Sequence, residues 1–260
     1  MRPNKVRECW MEDRPAISGW LSIGNSYTAE IVGMSGVDCV TIDLQHAMTD
    51  ISDMIVMLQA ISATPAVPFV RVPNTEPGVI MKALDAGSYG VICPLVNSPE
   101  DARALVDASS YPPLGGRSFG PSRGLLYGGS DYAQQANETI IRFAMIETRG
   151  GLAAVREICA VDGLDGIFIG PSDLGLNLGK GAAADPVDAE VCSAIDHCLA
   201  TAKAAAKRIG IFCPSGAVAA KRASQGFDFV VPGSDANLLK AVLAAELSSL
   251  KSSRSENSRN

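Results

Sequence analysis

Eight short runs of β-branched and aromatic residues, separated by stretches with helical spacing, restrict the fold of this chain more than any other feature. They are Trp20-Leu21-Ser22-Ile23, Cys39-Val40-Thr41-Ile42, Phe69-Val70-Arg71-Val72, Val91-Ile92-Cys93, Phe143-Ala144-Met145-Ile146, Gly166-Ile167-Phe168-Ile169, Ile209-Gly210-Ile211-Phe212 and Phe229-Val230-Val231. The spacing is that of βα units, and eight such units predict an α/β fold in which parallel strands close into a single (β/α)8 TIM barrel. At 260 residues the chain has the size of one such barrel. A six-stranded doubly wound sheet would also alternate β and α, but the count of eight runs and the lack of a GxGxxG motif after the first run disfavour it. One barrel domain is expected over residues 1–251, followed by a frayed polar tail over 252–260, where Ser, Arg, Asn and Glu show no apolar period.

The segments between the runs supply the outer layer. Ile51, Met54, Met57, Leu58 and Ile61 recur at helical period, as do Val187, Val191, Ile195, Cys198 and Ala202, before which Asp185-Pro186 reads as N-cap and first helical residue. Two stretches break the alternation and read as loops: Tyr111 to Tyr132, rich in Gly, Pro and Ser, and Leu178 to Asp185.

Hydrophobic residues make up 47% of the chain and charged ones 19%, the balance of a globular protein with a sizeable core. The net charge of -6 is spread without a Lys/Arg cluster, which argues against a nucleic-acid partner. Met1 leads into Arg2, Lys5, Arg7, Glu8, Glu12 and Asp13 with no apolar run long enough for a secretory core or a membrane span, so a cytoplasmic protein with no membrane association is expected. The seven cysteines lie in apolar stretches without a CxxC pair, and neither disulfides nor a thiolate metal site is expected. Cys93 and Cys213 fall near strand ends, where core packing is preferred to a nucleophilic role.

In a (β/α)8 barrel the reacting groups sit at the carboxyl ends of the strands. Here the second run ends in Asp43-Leu44-Gln45-His46, the third contains Arg71, the fifth ends in Glu147-Thr148-Arg149 and the sixth continues into Gly170-Pro171-Ser172-Asp173. Glu147 and Asp173 end neighbouring strands, and two carboxylates in one confined site either share a proton or bind a cation. With oxygen ligands and no Cys or paired His nearby, the cation would be hard and octahedral, Mg²⁺ or Mn²⁺, with Co²⁺ as a further candidate. The plainer alternative pairs Glu147 with Arg149 or another surface base and makes Asp173 a helix cap. Gly170, Pro171 and Ser172 open a helix, whose free N–H groups favour an anion such as a substrate carboxylate. Gly233-Ser234-Asp235 has the same form, with simple capping equally open. Of the two histidines, His197 falls on the solvent side of its helix, whereas His46 follows Asp43 by three residues. Asp43 could hold one ring nitrogen of His46 and leave the other for proton transfer; a loop histidine bonded for structure is the alternative.

Taken in order, Gly19-Trp20-Leu21, Ile42-Asp43-Leu44-Gln45-His46-Ala47, Val70-Arg71, Ile146-Glu147-Thr148-Arg149 and Phe168-Ile169-Gly170-Pro171-Ser172-Asp173-Leu174 resemble the motifs of the HpcH/HpaI aldolases, over a span from about Trp20 to Leu239. These are metal-dependent pyruvate aldolases built on (β/α)8 barrels. The resemblance implies Glu147 and Asp173 as metal ligands, Arg71 as partner of the enolate oxygen, His46 as base beside Asp43, and the Ser172 backbone after Gly170 as partner of the substrate carboxylate. Trp20, and Phe212 at the end of the seventh run, are expected to line the substrate site, with Phe212 facing the far end of the aldehyde. Members assemble as hexamers, which implies a homo-oligomer, and Asp85 of Leu84-Asp85-Ala86-Gly87 matches an aspartate that approaches the histidine of a neighbouring subunit. Two positions depart from the usual pattern: Gln45 precedes His46 where many members carry Glu, and Met145 stands two residues before Glu147 where many carry Gln.

The expected activity is the cleavage or formation of 4-hydroxy-2-oxo acids through a pyruvate or hydroxypyruvate enolate and an aldehyde. An oxaloacetate decarboxylase, or an acyl-CoA lyase of the citrate-lyase kind, would share the carboxylates but would not need His46. A non-catalytic 2-oxo-acid-binding protein is the rival from outside catalysis. His46 and Arg71 argue against both.

Overall fold

The computed structural model describes residues 1–257, with side chains through Lys251. Eight parallel strands close in sequence order, with β8 pairing back onto β1: β1 (Ala16–Leu21), β2 (Cys39–Asp43), β3 (Val67–Arg71), β4 (Gly90–Cys93), β5 (Ile141–Ile146), β6 (Gly166–Ile169), β7 (Arg208–Cys213) and β8 (Phe229–Pro232). The (β/α)8 barrel expected from the sequence is thus observed. Strands β2 to β6 are buried at every position, as parallel strands covered on both faces must be.

The barrel interior is an aromatic core. Phe69, Phe143, Phe168 and Phe229 pack with ring centroids 5.3 to 6.3 Å apart. Truncating one of these fully buried rings to Ala should cost about 3–5 kcal/mol. The helix Lys5–Met11 closes the amino-terminal end: Trp10 meets the Phe143 ring at 6.1 Å and donates its indole N–H to the Asp228 carbonyl at 2.8 Å. With that end plugged, the carboxyl-terminal rim is left for chemistry. Outside the sheet, Met54, Met57, Leu58 and Ile61 bury one face of the helix Ile51–Ser62, as their spacing predicts, while Ile51 stays partly exposed. Among the described residues no helix is long and apolar enough to cross a membrane.

The structure corrects several local expectations. β1 starts four residues earlier than its apolar run, at Ala16 rather than Trp20. Ser18 and Gly19 look like turn residues, but the Ser18 hydroxyl hydrogen-bonds Thr41 on β2 at 2.9 Å, and a Cβ on Gly19 would lie 2.3 Å from a Val32 methyl. Ser22 and Ile23 leave the strand, and their N–H groups donate to the Asp235 carboxylate at 2.7 and 3.2 Å. That carboxylate also accepts the Ala236 N–H at the start of the helix Asp235–Asn257, so the Gly233-Ser234-Asp235 turn carries its own anion. The stretch Tyr111 to Tyr132 contains the helix Ser122–Gly128 and ends where another, Tyr132–Thr139, begins. The helix Ala189–Ala204 is capped by Asp188; Asp185 instead faces Arg222 at 3.6 Å, and Val187 is 95% exposed. The tail expected to fray, 252–260, overlaps the backbone of the last helix, and residues 258–260 lie outside the described residues.

Candidate active site

β5 and β6 run in register through Ile146 and Ile169, so Glu147 and Gly170 leave the sheet side by side. Glu147 is only 1% exposed. Its Oε1 accepts the Leu95 N–H at 2.8 Å, and its Oε2 has no hydrogen-bond partner among the described residues. Burial pushes this carboxyl above its ordinary value; the Leu95 N–H opposes the rise, the negative charge of Asp173 adds to it, and Arg71 opposes it. A Cβ on Gly170 would stand 2.8 Å from Oε2 and 2.6 Å from the Met145 methyl, so only glycine leaves open the space that Oε2 faces. Asp173 sits in the first turn of the helix Pro171–Asn177, half-buried, and its carboxylate has no ion-pair or hydrogen-bond partner among the described residues.

The plainer alternative is not met. Among the described residues Glu147 forms no ion pair with Arg149, and the helix that begins after Gly170 has no side-chain cap. A buried carboxylate oxygen left without a donor is costly, and a cation is the natural remedy. No group of three His, Cys, Asp or Glu side chains able to hold a metal occurs among the described residues, so a cation here would have two carboxylates and take its other ligands from water and substrate. That donor set suits Mg²⁺ or Mn²⁺. Met145 puts a methyl, rather than a polar group, beside this space.

Across the barrel mouth, register places Asp43 on β2 opposite Arg71 on β3. The two form a bidentate pair, Nε to Oδ1 at 2.9 Å and Nη2 to Oδ2 at 2.5 Å, and the guanidinium lies 4.8 Å above the Trp20 ring. Trp20 in turn stacks on Phe168 at 5.9 Å and meets Phe212 edge-on at 5.5 Å. Arg71 is therefore fixed from its edge and its face, while Nη1 has no partner among the described residues. Burial alone would raise the Asp43 carboxyl, but Arg71 and the N–H groups of Gln45 and His46 outweigh it and hold the group below its ordinary value.

One expectation about His46 is corrected by this geometry. Asp43 accepts the backbone N–H of Gln45 at 2.9 Å and of His46 at 3.3 Å, and its remaining capacity goes to Arg71 rather than to the imidazole. The His46 ring is exposed on the loop after β2 without a partner among the described residues, and the buried Gln45 Oε1 beside it is also unpaired. Asp85 joins none of these groups. It ends the helix Pro77–Asp85 at the amino-terminal side of β4, on the opposite rim, where Arg117 holds it at 2.8 Å. Cys93 and Cys213 are buried and their thiols are pushed up to about 12 by burial, which suits packing rather than nucleophilic attack. His197 is exposed on the outer helix, as expected.

Leu95 was not singled out from sequence. It is a non-glycine residue with a φ of 55°, and that conformation delivers its N–H to Glu147. Nothing in its residue type announces the role, although the Pro94 before it and Asn97 after it mark a turn.

The chain is similar to known proteins over most of its length. The family model for HpcH/HpaI aldolase/citrate lyase matches residues 17–241. The chain is 49% identical over 238 residues, covering 92% of itself and 95% of the relative, to a hydroxypyruvate/pyruvate aldolase of Rhizorhabdus wittichii. It is 38% identical to a 5-keto-4-deoxy-D-glucarate aldolase of Citrobacter koseri, over 92% of this chain and 93% of that one. A crystal structure of an HpcH/HpaI aldolase/citrate lyase family protein from Burkholderia cenocepacia superposes with a TM-score of 0.89 at 31% identity, covering 95% of this chain and 99% of the other. The fold, the strand-end carboxylates and these matches together make the chain a member of the HpcH/HpaI aldolase/citrate lyase family and an enzyme of its aldolase class.

Proposed function

We propose that this enzyme catalyses the reversible aldol cleavage of 4-hydroxy-2-oxo acids to pyruvate or hydroxypyruvate and an aldehyde, with a divalent cation held by Glu147 and Asp173. The observation that carries this reading is the buried Glu147 Oε2, which lacks a donor and faces the space kept open by Gly170. Mg²⁺ or Mn²⁺ bound there would supply a Lewis acid for the 2-oxo acid. A donor choice between pyruvate and hydroxypyruvate is supported by the name of the 49% identical relative.

The chain's own groups account for the remaining steps. The Ser172 N–H, at a helix start with no side-chain cap, receives the substrate carboxylate. Arg71, fixed by Asp43 and Trp20, offers Nη1 to the C2 oxygen, which gains negative charge as the C3–C4 bond breaks; a donor already in place needs no reorganisation. His46 takes the proton of the C4 hydroxyl while the bond's electron pair moves into the enolate and C4 becomes the aldehyde carbonyl. An exposed ring without an intramolecular partner suits that task. Trp20 and Phe212 form the apolar wall of the mouth, and Phe212, the less buried of the two, meets the far end of the aldehyde.

Asp85 lies on the rim opposite His46, so a catalytic role for it requires a second copy of the chain. Leu239, Val242, Leu243 and Leu247 on the last helix are each more than half exposed, an apolar stripe that a neighbouring copy would cover. The stripe supports a homo-oligomer, a hexamer by resemblance. The direct test is a panel of aldehydes offered with pyruvate and with hydroxypyruvate, in chelator and with Mg²⁺, Mn²⁺ or Co²⁺. Steady metal-dependent turnover is expected; stoichiometric binding without turnover would make the protein a binder, and turnover that persists in chelator would remove the cation from the mechanism.

A further inference from the structure

We propose that the loop after β4 is a positioning device for Glu147, in which Asn97 clasps the loop to the end of β5 so that the Leu95 N–H occupies one carboxylate oxygen and only the other is offered to the cation. The proposal rests on the reading of Glu147 as a metal ligand.

Four hydrogen bonds build the clasp. The Asn97 side-chain amide donates to the Leu95 carbonyl at 2.8 Å, and its oxygen accepts from the hydroxyl of Thr148, the residue next to Glu147. The Thr148 oxygen in turn accepts the Gly151 N–H at 3.0 Å, capping the short helix Arg149–Ala153. On the loop side, the Val96 N–H reaches the Met145 carbonyl on β5 at 3.3 Å. The two segments also meet too closely for side chains. A Cβ on Gly151 would stand 2.6 Å from the Val96 carbonyl oxygen, and one on Gly150 would stand 3.3 Å from the Asn97 side-chain oxygen. Gly151 is therefore what admits the loop, and Gly150 leaves room for the Asn97 side chain.

Leu95 itself shows what the clasp is for. Its φ of 55° lies in the left-handed region that β-carbon-bearing residues avoid. Its side chain is 50% exposed and so packs too little to hold that conformation in place. The backbone contacts on either side remain as the restraint: the carbonyl is tied to Asn97 and the N–H to Glu147 Oε1 at 2.8 Å. With Oε1 accepting the Leu95 N–H, rotation of the carboxylate is restrained, and Oε2 stays directed at the Gly170 space. Outer partners that fix a ligand's orientation typically matter for metal affinity by about 10- to 100-fold.

The test is a Mn²⁺ titration of the full-length protein after removal of bound metal, with free Mn²⁺ followed by electron paramagnetic resonance well below the melting temperature. Leu95→Pro removes the N–H and forbids the positive φ, and should weaken Mn²⁺ binding about tenfold or more. Asn97→Ala and Thr148→Val, each at one end of the same hydrogen bond, should weaken it about threefold or more, and Thr148→Ser, which keeps the hydroxyl, should restore affinity to within about twofold of the parent. A merely structural clasp would lower the melting temperature and leave the dissociation constant alone. Should Leu95→Pro fail to fold, the Asn97 and Thr148 variants decide. Glu147→Gln separates the two readings: if it loses Mn²⁺ while Asn97→Ala and Thr148→Val bind as the parent does, the clasp is wrong and the ligand stands. If Glu147→Gln binds Mn²⁺ normally, both fall.

Discussion

The two rims of this barrel carry carboxylates in opposite conditions. At the amino-terminal rim, Asp38, Asp165 and Asp228 stand immediately before β2, β6 and β8, and each ties down the strand before its own. Asp38 accepts the Ile17 N–H at 2.9 Å and faces Arg14 at 3.1 Å; Asp165 accepts the Arg142 N–H at 2.8 Å and faces Arg7 at 2.7 Å; Asp228 accepts the Ile209 N–H at 3.0 Å and faces Lys203 at 2.7 Å and Arg208 at 3.0 Å. At the carboxyl-terminal rim, Glu147 Oε2 and the Asp173 carboxylate have no such partners among the described residues. Saturated carboxylates hold strands together, and unsaturated ones in a confined site wait for a ligand. Asp43 falls between the two kinds: it is saturated, but by the arginine it aims at the mouth.

The most severe way to break this contrast is to neutralise the unsaturated pair. Glu147→Gln and Asp173→Asn should each reduce aldol cleavage by about 10³-fold or more, because a charged hard ligand is replaced by a neutral one. The melting temperature of the metal-free protein should stay level or rise, since Gln removes a buried charge that has an unpaired oxygen. Loss of stability on the scale of a core mutation would mean that these carboxylates are structural after all.

A second effect, about an order of magnitude smaller, separates groups within the functional rim. Oxaloacetate decarboxylation forms the same enolate but has no C4 hydroxyl to deprotonate. If the enzyme accepts oxaloacetate, Arg71→Ala should depress decarboxylation and cleavage alike, because the arginine meets the oxyanion common to both. His46→Ala should lose cleavage by about 10²-fold and keep much of the decarboxylation. Equal damage to both reactions from His46→Ala, with metal binding intact, would remove His46 as the base.

The saturated rim should respond in the other currency. Asp228→Asn breaks two ion pairs and weakens the acceptor of a buried N–H, and should lower stability by about 1–3 kcal/mol, the lower part of the range because Lys203 and Arg208 are partly exposed. The kcat of the molecules that remain folded should be unchanged. Chemical denaturation and steady-state rates on one preparation would read both, and a kcat loss without a stability loss would undo the division between rims.

This division explains what could be read from sequence. Seven of the eight strands were legible because an apolar run between helical segments has few alternatives, and their carboxyl ends then located Asp43, Arg71, Glu147 and Asp173. β1 was misplaced because Ser18 and Gly19 serve tertiary contacts that a single sequence hides. The helix Ser122–Gly128 was hidden by glycines at both ends of its sequence neighbourhood, and the cap of Ala189–Ala204 by a nearer-looking Asp-Pro pair. Within the site, residue type revealed the charged groups but not their partners. Leu95 acts through its backbone, Asp43 turned out to serve Arg71 rather than the His46 ring, and the three strand-tying aspartates passed unremarked because Asp before a strand reads as an ordinary turn residue.

The smallest effect separates the rims by pH. Burial raises the Asp38 carboxyl, but the Ile17 N–H and Arg14 outweigh it, so the folded-state value lies below the ordinary one of 3.8. A depressed carboxyl contributes stability that is present above its unfolded pKa and is lost as pH falls through the folded one. Glu147 has the opposite sign: burial first, then the charge of Asp173, raise it above 4.5 against the pull of the Leu95 N–H and Arg71. Its contribution is present below its unfolded pKa and is lost as pH rises through the raised folded value. In the metal-free protein, stability should therefore be lower at neutral pH than near pH 4.5, by an amount that Glu147→Gln abolishes, about 1.4 kcal/mol for each unit of the shift. Saturating Mn²⁺ should reverse the slope, because only the ionised carboxylate binds and binding stabilises the folded state. Urea unfolding of the parent and of Glu147→Gln at the two pH values, with chelator and with Mn²⁺, supplies the four comparisons. Parallel pH dependence of the two metal-free proteins would show that Glu147 is already satisfied in the folded state, and the contrast between the rims would lose its physical basis.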